Sequence, residues 1–262
     1  MSATSDGVAE TGAGLPLVLL HGGGPGVDAV SNWAATISRL RTEFDCIAPD
    51  LLGFGTQVLA AGTEGLNGPR AWAEARARQV LDLLDRNDLV RVNLVGNSAA
   101  GGAAALALLS AAPERIGRAV VMGGAGTGPL PVTVPFYGES TKDSMRATLA
   151  RLVADEADHR ELLDELAVVR LRQALLPGAE AVFRSMFATV VDGLPPVDPT
   201  VITTPVLALH GECDRVSPVE VSERLVEALP HGRLEVVAGA GHWIHVDRPE
   251  EFCTLVGEFI SA

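Results

Sequence analysis

The chain has 262 residues, enough for one large α/β domain or for a domain carrying an insertion, and core burial is not limiting at that size. With 47% hydrophobic and 20% charged residues it reads as an ordinary soluble globular protein. Its net charge of −13, from 33 acidic against 20 basic residues, leaves no basic stripe for phosphate, so neither a nucleic-acid partner nor an anionic membrane surface is expected.

No apolar run approaches the roughly 20 residues that a bilayer span requires. Residues 1–14 are small and polar and lack a basic region followed by an apolar core, so no secretion signal is expected. Cys46, Cys213 and Cys253 lie far apart without Cys-x-x-Cys spacing, which reads as reduced thiols in a cytoplasm.

The run Leu15–Leu20 is continuously apolar, as in a strand buried on both faces of a parallel sheet. His21-Gly22-Gly23-Gly24-Pro25-Gly26 follows and must be a loop. Helical patterning covers residues 30–41, a strand 45–48, and, after Asn67-Gly68-Pro69, a helix 71–85. A strand at 91–95 leads through Gly96 and Asn97 to a lone Ser98, then into an alanine-rich helix over 99–111. The next strand is expected at 118–122. Beyond residue 123 the strand signal disappears. Helical periodicity between 144 and 191 marks an inserted cap, ending at Pro195-Pro196-Val197-Asp198-Pro199. The sheet resumes at 206–210. Ser217 then begins a helix as its N-cap, with Pro218 as first helical residue. A strand at 233–237 precedes the last helix, 249–260, whose Phe252, Leu255, Val256, Phe259 and Ile260 share one stripe. This alternation defines an α/β fold with a mostly parallel central sheet flanked by helices. The division expected is core 1–127, helical cap 128–197 and core 198–262.

Three polar residues stand just after strands at one side of such a sheet: Ser98, Asp214 and His242. Open α/β sheets bind ligands at the carboxyl ends of their strands. A serine hydroxyl is a poor nucleophile until a histidine takes its proton, and a buried carboxylate fixes that histidine's tautomer. Ser98 on a tight strand-to-helix turn would present its hydroxyl above the sheet. The N–H groups of Gly23 and Ala99 are the expected oxyanion-hole pair. Each residue also has a plainer reading: Ser98 as a helix cap, Asp214 as a turn cap, His242 as a structural ring. The glycine loop lacks Gly-Lys-Ser/Thr and any Gly-x-Gly-x-x-Gly opening a helix, so a phosphate cradle is not favoured. His159, His210, His231 and His245 lack ligand spacing, so no metal site is expected. His245, three residues after His242, reads as a packing or rim residue.

With these residues assembled, the chain resembles the α/β-hydrolases, and within them the meta-cleavage product hydrolases, over almost its whole length. The resemblance rests on His21-Gly22-Gly23-Gly24-Pro25-Gly26, Ser31-Asn32-Trp33, Ala48-Pro49-Asp50 with Gly53-Phe54-Gly55, Gly96-Asn97-Ser98, and Gly241-His242-Trp243. It implies an α/β-hydrolase fold with an inserted helical cap, Ser98, Asp214 and His242 as triad, and Gly23 and Ala99 as backbone donors. It further implies Asn32, Asn97 and Trp243 as lining residues. Asp164-Glu165-Leu166-Ala167-Val168-Val169-Arg170 resembles the segment that offers an arginine to the substrate carboxylate; the plainer reading of Arg170 is an exposed helix arginine. Ala100 stands where the family has glycine. Family members also carry one or two antiparallel strands ahead of the run at Leu15 that are not evident here.

The function this implies is hydrolysis of a carbon–carbon bond in a vinylogous diketone or dienoate from aromatic-compound metabolism, without cofactor or metal. The expected partner is a small-molecule substrate, with a homo-oligomer open. An esterase, lactonase or thioesterase with the same triad is the alternative. A non-hydrolytic binding or cyclising protein of natural-product biosynthesis is the third reading, resting on Ala100 alone.

Overall fold

Alternate residues of each central strand feed two different cores, and this split fixes the layers. The computed structural model describes residues 8–10, 15–60, 62–124, 135–187 and 197–262. Among these, the strands are β1 (Val8–Glu10), β2 (Leu15–Leu20), β3 (Phe44–Ala48), β4 (Val92–Asn97), β5 (Ile116–Met122), β6 (Val206–Gly211) and β7 (Gly232–Val237). The helices are α1 (Ala29–Leu40), α2 (Gly68–Arg86), α3 (Ala103–Ala111), α4 (Lys142–Ala150), α5 (Arg160–Ala174), α6 (Ala179–Met186), α7 (Val219–Ala228), α8 (Ile244–Asp247) and α9 (Pro249–Ser261).

The strands form one sheet in the order β1-β3-β2-β4-β5-β6-β7. Only β1 runs antiparallel, pairing with β3; all other neighbours are parallel. Val18, Leu20, Leu94, Val121 and Ala208 face a core closed by α2 and α3. Leu17, Leu19, Val95, Val120 and Leu209 face the opposite one, closed by α1 and α9 through Trp33, Ile37, Phe252 and Val256. Helix α1 begins at Asp28, whose carboxylate accepts from the Ser31 amide while the Ser31 hydroxyl accepts from the Asp28 amide, a reciprocal cap.

Several expectations are corrected. A strand does precede Leu15: β1 adds an antiparallel edge, pairing Val8 with Ala48. Three residues are too short for alternation to reveal. Ser217 does not cap α7; Pro218 is the N-cap residue and Ser217 belongs to the turn around Asp214. The helix after Ser98 opens with a wide π-type turn, Ser98–Gly102, before α3 begins. Between β5 and β6 the described residues hold α4, α5 and α6, with a smaller cluster around Phe136, Met145, Leu149, Val153 and Leu163 that closes on Trp243. The ends of the expected cap at 128 and 191–196 lie outside the described residues.

The turn at Ser98 depends on backbone contact. Ser98 has φ +54°, a left-handed conformation that costs a non-glycine residue about 1–3 kcal/mol. The turn is tight enough that a Cβ on Gly96 would lie 2.7 Å from the Gly101 carbonyl oxygen. A Cβ on Gly101 would overlap the carbonyls of Leu20 and His21 on β2 and its following loop. Gly101, rather than residue 100, is therefore where the helix crosses the neighbouring strand. Ala100 is buried, its methyl part of the core that α2 and α3 close. Gly101→Ala should destabilise the fold by about 3 kcal/mol or more, since backbone must move. Ala100→Gly should stay within about 1 kcal/mol of wild type, the size of a glycine in a helical turn. Urea unfolding of the two variants measures the contrast.

Candidate active site

Loops after β2, β4, β6 and β7 meet at the carboxyl edge of the sheet, and three side chains from them form one hydrogen-bonded line. His242 Nε2 lies 2.8 Å from Ser98 Oγ, and His242 Nδ1 lies 2.7 Å from Asp214 Oδ2. A carboxylate only accepts, so Nδ1 carries the proton and Nε2 is left to accept from the serine hydroxyl. His242 and the Asp214 side chain are almost wholly buried. Burial opposes ionisation of Asp214 most strongly. The hydrogen bond and charge of His242, with the Ser217 and Val216 amides, outweigh it and hold the carboxyl below its usual range. Gly123, at the end of β5 with φ +66°, leaves the space for the ring: a Cβ there would lie 2.5 Å from His242 Cε1.

Two buried histidines brace this line. His210, on β6, has Nε2 2.9 Å from the Ser217 carbonyl and Nδ1 2.8 Å from the Ser222 hydroxyl. The carbonyl can only accept, so Nε2–H donates and Nδ1 accepts from Ser222. Burial lowers its pKa, and the neutral ring props the turn that carries Asp214. His21 accepts from the Leu51 amide at Nε2, 3.0 Å, which puts its proton on Nδ1, donated to the Gly22 carbonyl at 2.8 Å. A trans peptide points its C=O and N–H in opposite directions, so drawing the Gly22 carbonyl toward His21 turns the Gly23 N–H away from it. The loop lies against the serine turn: Cβ atoms on Gly22 and Gly23 would come 3.6 Å from Ser98 Cβ and 3.5 Å from the Ala99–Ala100 peptide nitrogen.

Asn32 holds the other side of that loop. Its Oδ1 accepts from the Gly22 amide at 2.9 Å and from Asn97 Nδ2 at 3.0 Å. Its Nδ2 is therefore a donor and lies 3.0 Å from His245 Nε2, which accepts; the 3.2 Å approach of Nε2 to the Asn32 carbonyl is the secondary contact. His245 is buried among Trp33, Trp243 and Phe252, so it packs and does not sit at a rim. Asn97 is fully buried, and its Oδ1 has no hydrogen-bond partner among the described residues.

Arg170 is the electrostatic exception. It is 2% exposed, on the face of α5 turned to the core, so it is not a solvent-facing helix arginine. Burial lowers its pKa to about 10, with Asp28 pulling the other way, and it remains a cation at neutral pH. Its guanidinium carbon lies 4.9 Å from the centre of the Trp243 ring. Neither Nε nor Nη2 has a hydrogen-bond partner among the described residues. The glycine loop makes room for it. A Cβ on Gly24 would lie 3.3 Å from Arg170 Nη1, and one on Gly26, at φ +64°, would overlap the Arg170 carbonyl.

A model of the alpha/beta hydrolase family matches residues 17–255, and the chain belongs to that family. It is 34% identical to 2-hydroxymuconate semialdehyde hydrolase of Pseudomonas sp. strain CF600, covering 96% of this chain and 89% of that protein. It is 36% identical to 2-hydroxy-6-oxo-2,4-heptadienoate hydrolase of Pseudomonas putida F1, covering 97% and 91%. Among solved structures, 2-hydroxy-6-oxo-6-phenylhexa-2,4-dienoate hydrolase from Rhodococcus sp. strain RHA1 superposes with a TM-score of 0.83 at 28% identity, over 95% of this chain and 91% of that one. A meta-cleavage product hydrolase from Pseudomonas fluorescens IP01 does so with 0.76 at 30% identity, over 96% and 92%.

Sequence reasoning passed over His21 and His210 as braces, Gly123 as a spacer, and Arg215 and Asp247, whose hydrogen bonds reach the helical segment. The buried histidines weaken the fold in acid. Burial lowers His21 to about 4 and His245 to about 3, against 6.5 in the unfolded chain. The unfolded state therefore binds more protons below pH 6.5, and stability falls as pH drops from there toward 4. Each ring contributes a slope of up to about 1.4 kcal/mol per pH unit. His245→Gln keeps an acceptor for Asn32 but does not titrate. Its urea midpoint should fall less steeply than wild type between pH 6.5 and 4.5; parallel slopes would reject the assignment.

Proposed function

We propose that this protein is a serine-triad hydrolase that cleaves a carbon–carbon bond in a vinylogous diketone of the 2-hydroxy-dienoate type, formed by opening of an aromatic ring. The observation that carries this reading is Arg170, a buried cation whose Nε and Nη2 nitrogens are unpartnered among the described residues. A guanidinium fork meets a carboxylate through two parallel hydrogen bonds, and a simple ester has no carboxylate to offer it. The substrates named for the relatives are 2-hydroxy acids with a distant carbonyl, which suits a protein that offers both a buried cation and a nucleophile.

In this reading Arg170 holds the carboxylate, with Trp243 behind it and Asn32 and Asn97 along the chain of the substrate. The triad first moves the proton of the enolic hydroxyl to the carbon beside the distant carbonyl, giving a ketone. Ser98, or a water deprotonated by His242, then adds to that carbonyl, and the N–H groups of Gly23 and Ala99 take the oxyanion. Each such donor is typically worth about 3 kcal/mol in the transition state. Collapse breaks the carbon–carbon bond, its electron pair passing into the conjugated keto acid as an enolate that His242 protonates. Water supplies the hydroxyl of the acid released and the proton that restores the triad. No dissociable cofactor enters. Residues 128–197 act as a cap over the cores 1–127 and 198–262, which the small cluster of α4 and α5 seated on Trp243 supports. A cytoplasmic setting and a small-molecule substrate fit the same reading.

Ala100 lends no weight to a non-hydrolytic protein on this scaffold, because its methyl fits and the left-handed Ser98 keeps its hydrogen bond to His242. Ser98→Ala should abolish turnover of a ring-opened dienoate and of p-nitrophenyl butyrate while leaving the fold intact; surviving turnover overturns the triad. Arg170→Ala should raise KM for the dienoate by about 10- to 100-fold, the loss of a charge-assisted hydrogen bond, and leave the neutral ester nearly unaffected. Equal effects on both substrates would favour the esterase alternative.

A further inference from the structure

Residues 150–154, the turn that leaves α4, are gripped by the immediate chain neighbours of both Asp214 and His242. Arg215 Nη2 donates to the Val153 carbonyl at 2.7 Å and reaches those of Ala154 and Ala150 at 3.2 and 3.3 Å. On the other loop, the Trp243 amide donates to the Leu152 carbonyl at 2.7 Å. The amide on the opposite side of His242, that of Gly241, donates to Asp247 Oδ2 at 2.7 Å, and the same oxygen accepts from the Ala154 amide at 3.0 Å. The second oxygen of Asp247 lies 2.8 Å from His159 Nε2. A Cβ on Gly241 would lie 2.7 Å from Ala154 N, so the two backbones touch. Val153 is fully buried and shares its cluster with Trp243.

We infer that the 150–154 turn is the seat on which the histidine and aspartate loops are aligned, with Asp247 and Arg215 as positioning residues for the reaction. This rests on the triad reading above. The amides of both residues that flank His242 are held to this turn, Trp243 directly and Gly241 through Asp247, so the backbone that carries the ring cannot shift relative to Ser98 without stretching them. Arg215 holds the loop of Asp214 to the same point. The Asp214 and His242 loops also meet directly, the Cys213 amide donating to the Ala240 carbonyl at 2.8 Å, so a displacement of one is passed to the other. The helical segment is then more than a cover over the substrate. Its first turn is part of the frame that sets the geometry of catalysis.

The test uses Asp247→Ala, Asp247→Asn, Arg215→Gln and the Asp247→Ala/Arg215→Gln double variant, with Ser98→Ala as control. Each is assayed on p-nitrophenyl butyrate, and kcat is expressed per serine titrated by a fluorophosphonate, so that misfolded protein does not count. Asp247→Ala should lose on the order of 10²-fold in kcat, the scale of a misplacement near 1 Å, with KM little changed. The low-field proton resonance of His242 Nδ1–H should shift or broaden with it. Asp247→Asn, which keeps one accepting oxygen, should fall between. The double variant should lose less than the product of the two single losses, because both residues hold one turn. Wild-type kcat per titrated serine and an unmoved proton resonance in Asp247→Asn and Arg215→Gln overturn the inference while the triad stands. Turnover that survives Ser98→Ala overturns the triad reading instead.

Discussion

The site depends on a backbone contact, the crossing of Gly101 over the end of β2. With no side chain there, the helix after Ser98 can press against the Leu20 and His21 carbonyls, and only that close approach makes the turn tight enough to force Ser98 to φ +54°. A left-handed serine is unfavourable by itself, so the surrounding packing must over-determine it. It does so from both sides. β2 and β4 are neighbours in the sheet, so the loop leaving β2 emerges beside the serine, and the same carbonyls that meet Gly101 begin the glycine loop. The positions of Gly22, Gly23 and Ser98 are thus one constraint seen from two strands.

Around that contact the polar groups are fixed before any ligand arrives. His21, His210, His242 and His245 are each at most 5% exposed. Three of them have their protons assigned by a partner that can play only one part: an amide for His21, a carbonyl for His210, a carboxylate for His242. Burial keeps His21, His210 and His245 neutral, so their hydrogen bonds do not reverse at moderate pH. Dipoles held this way in a poorly screened interior need no reorganisation when charge develops, which is the main advantage a folded site has over water. The histidines other than His242 thus orient peptide groups, and two of them act on the loops that carry Gly23 and Asp214.

What could be read from the chain follows from how far each signal reaches. Ser98, Asp214 and His242 lie just beyond short apolar runs, and a run followed by glycine-rich turns is a local pattern. The strands β2, β4, β5, β6 and β7 were legible for the same reason. Arg170 was reachable only through family resemblance, because nothing local separates it from Arg172 on the same helix. β1 is too short to show alternation. The π-type turn and the importance of Gly101 over residue 100 were hidden, since both are decided by where another strand's carbonyls fall. Arg215 and Asp247 escaped for a related reason: each reaches a backbone group of the helical segment, more than 60 and 90 residues away, and a backbone group leaves no mark on sequence. Side-chain chemistry at strand ends is written locally; the frame that holds it is not.

Arg170 shows what that frame sustains. Removing a cation from water costs several kcal/mol even after relaxation, and a hydrogen-bonded counter-charge is the usual remedy. Here the nearest acidic influence is Asp28, too weak to outweigh burial, and the Trp243 face supplies an attraction on the order of 2 kcal/mol. The N–H groups at Nε and Nη2 remain unsatisfied within the described protein, in a fold whose other buried arginine, Arg76, donates to the Leu52 carbonyl and to Met186 and lies between Phe54 and Trp72. Stability alone would favour an apolar side chain on that face of α5. Keeping a buried, half-unpartnered cation there costs folding free energy that an apolar side chain would not, and on the reading proposed above an anion that completes the fork would return it as binding.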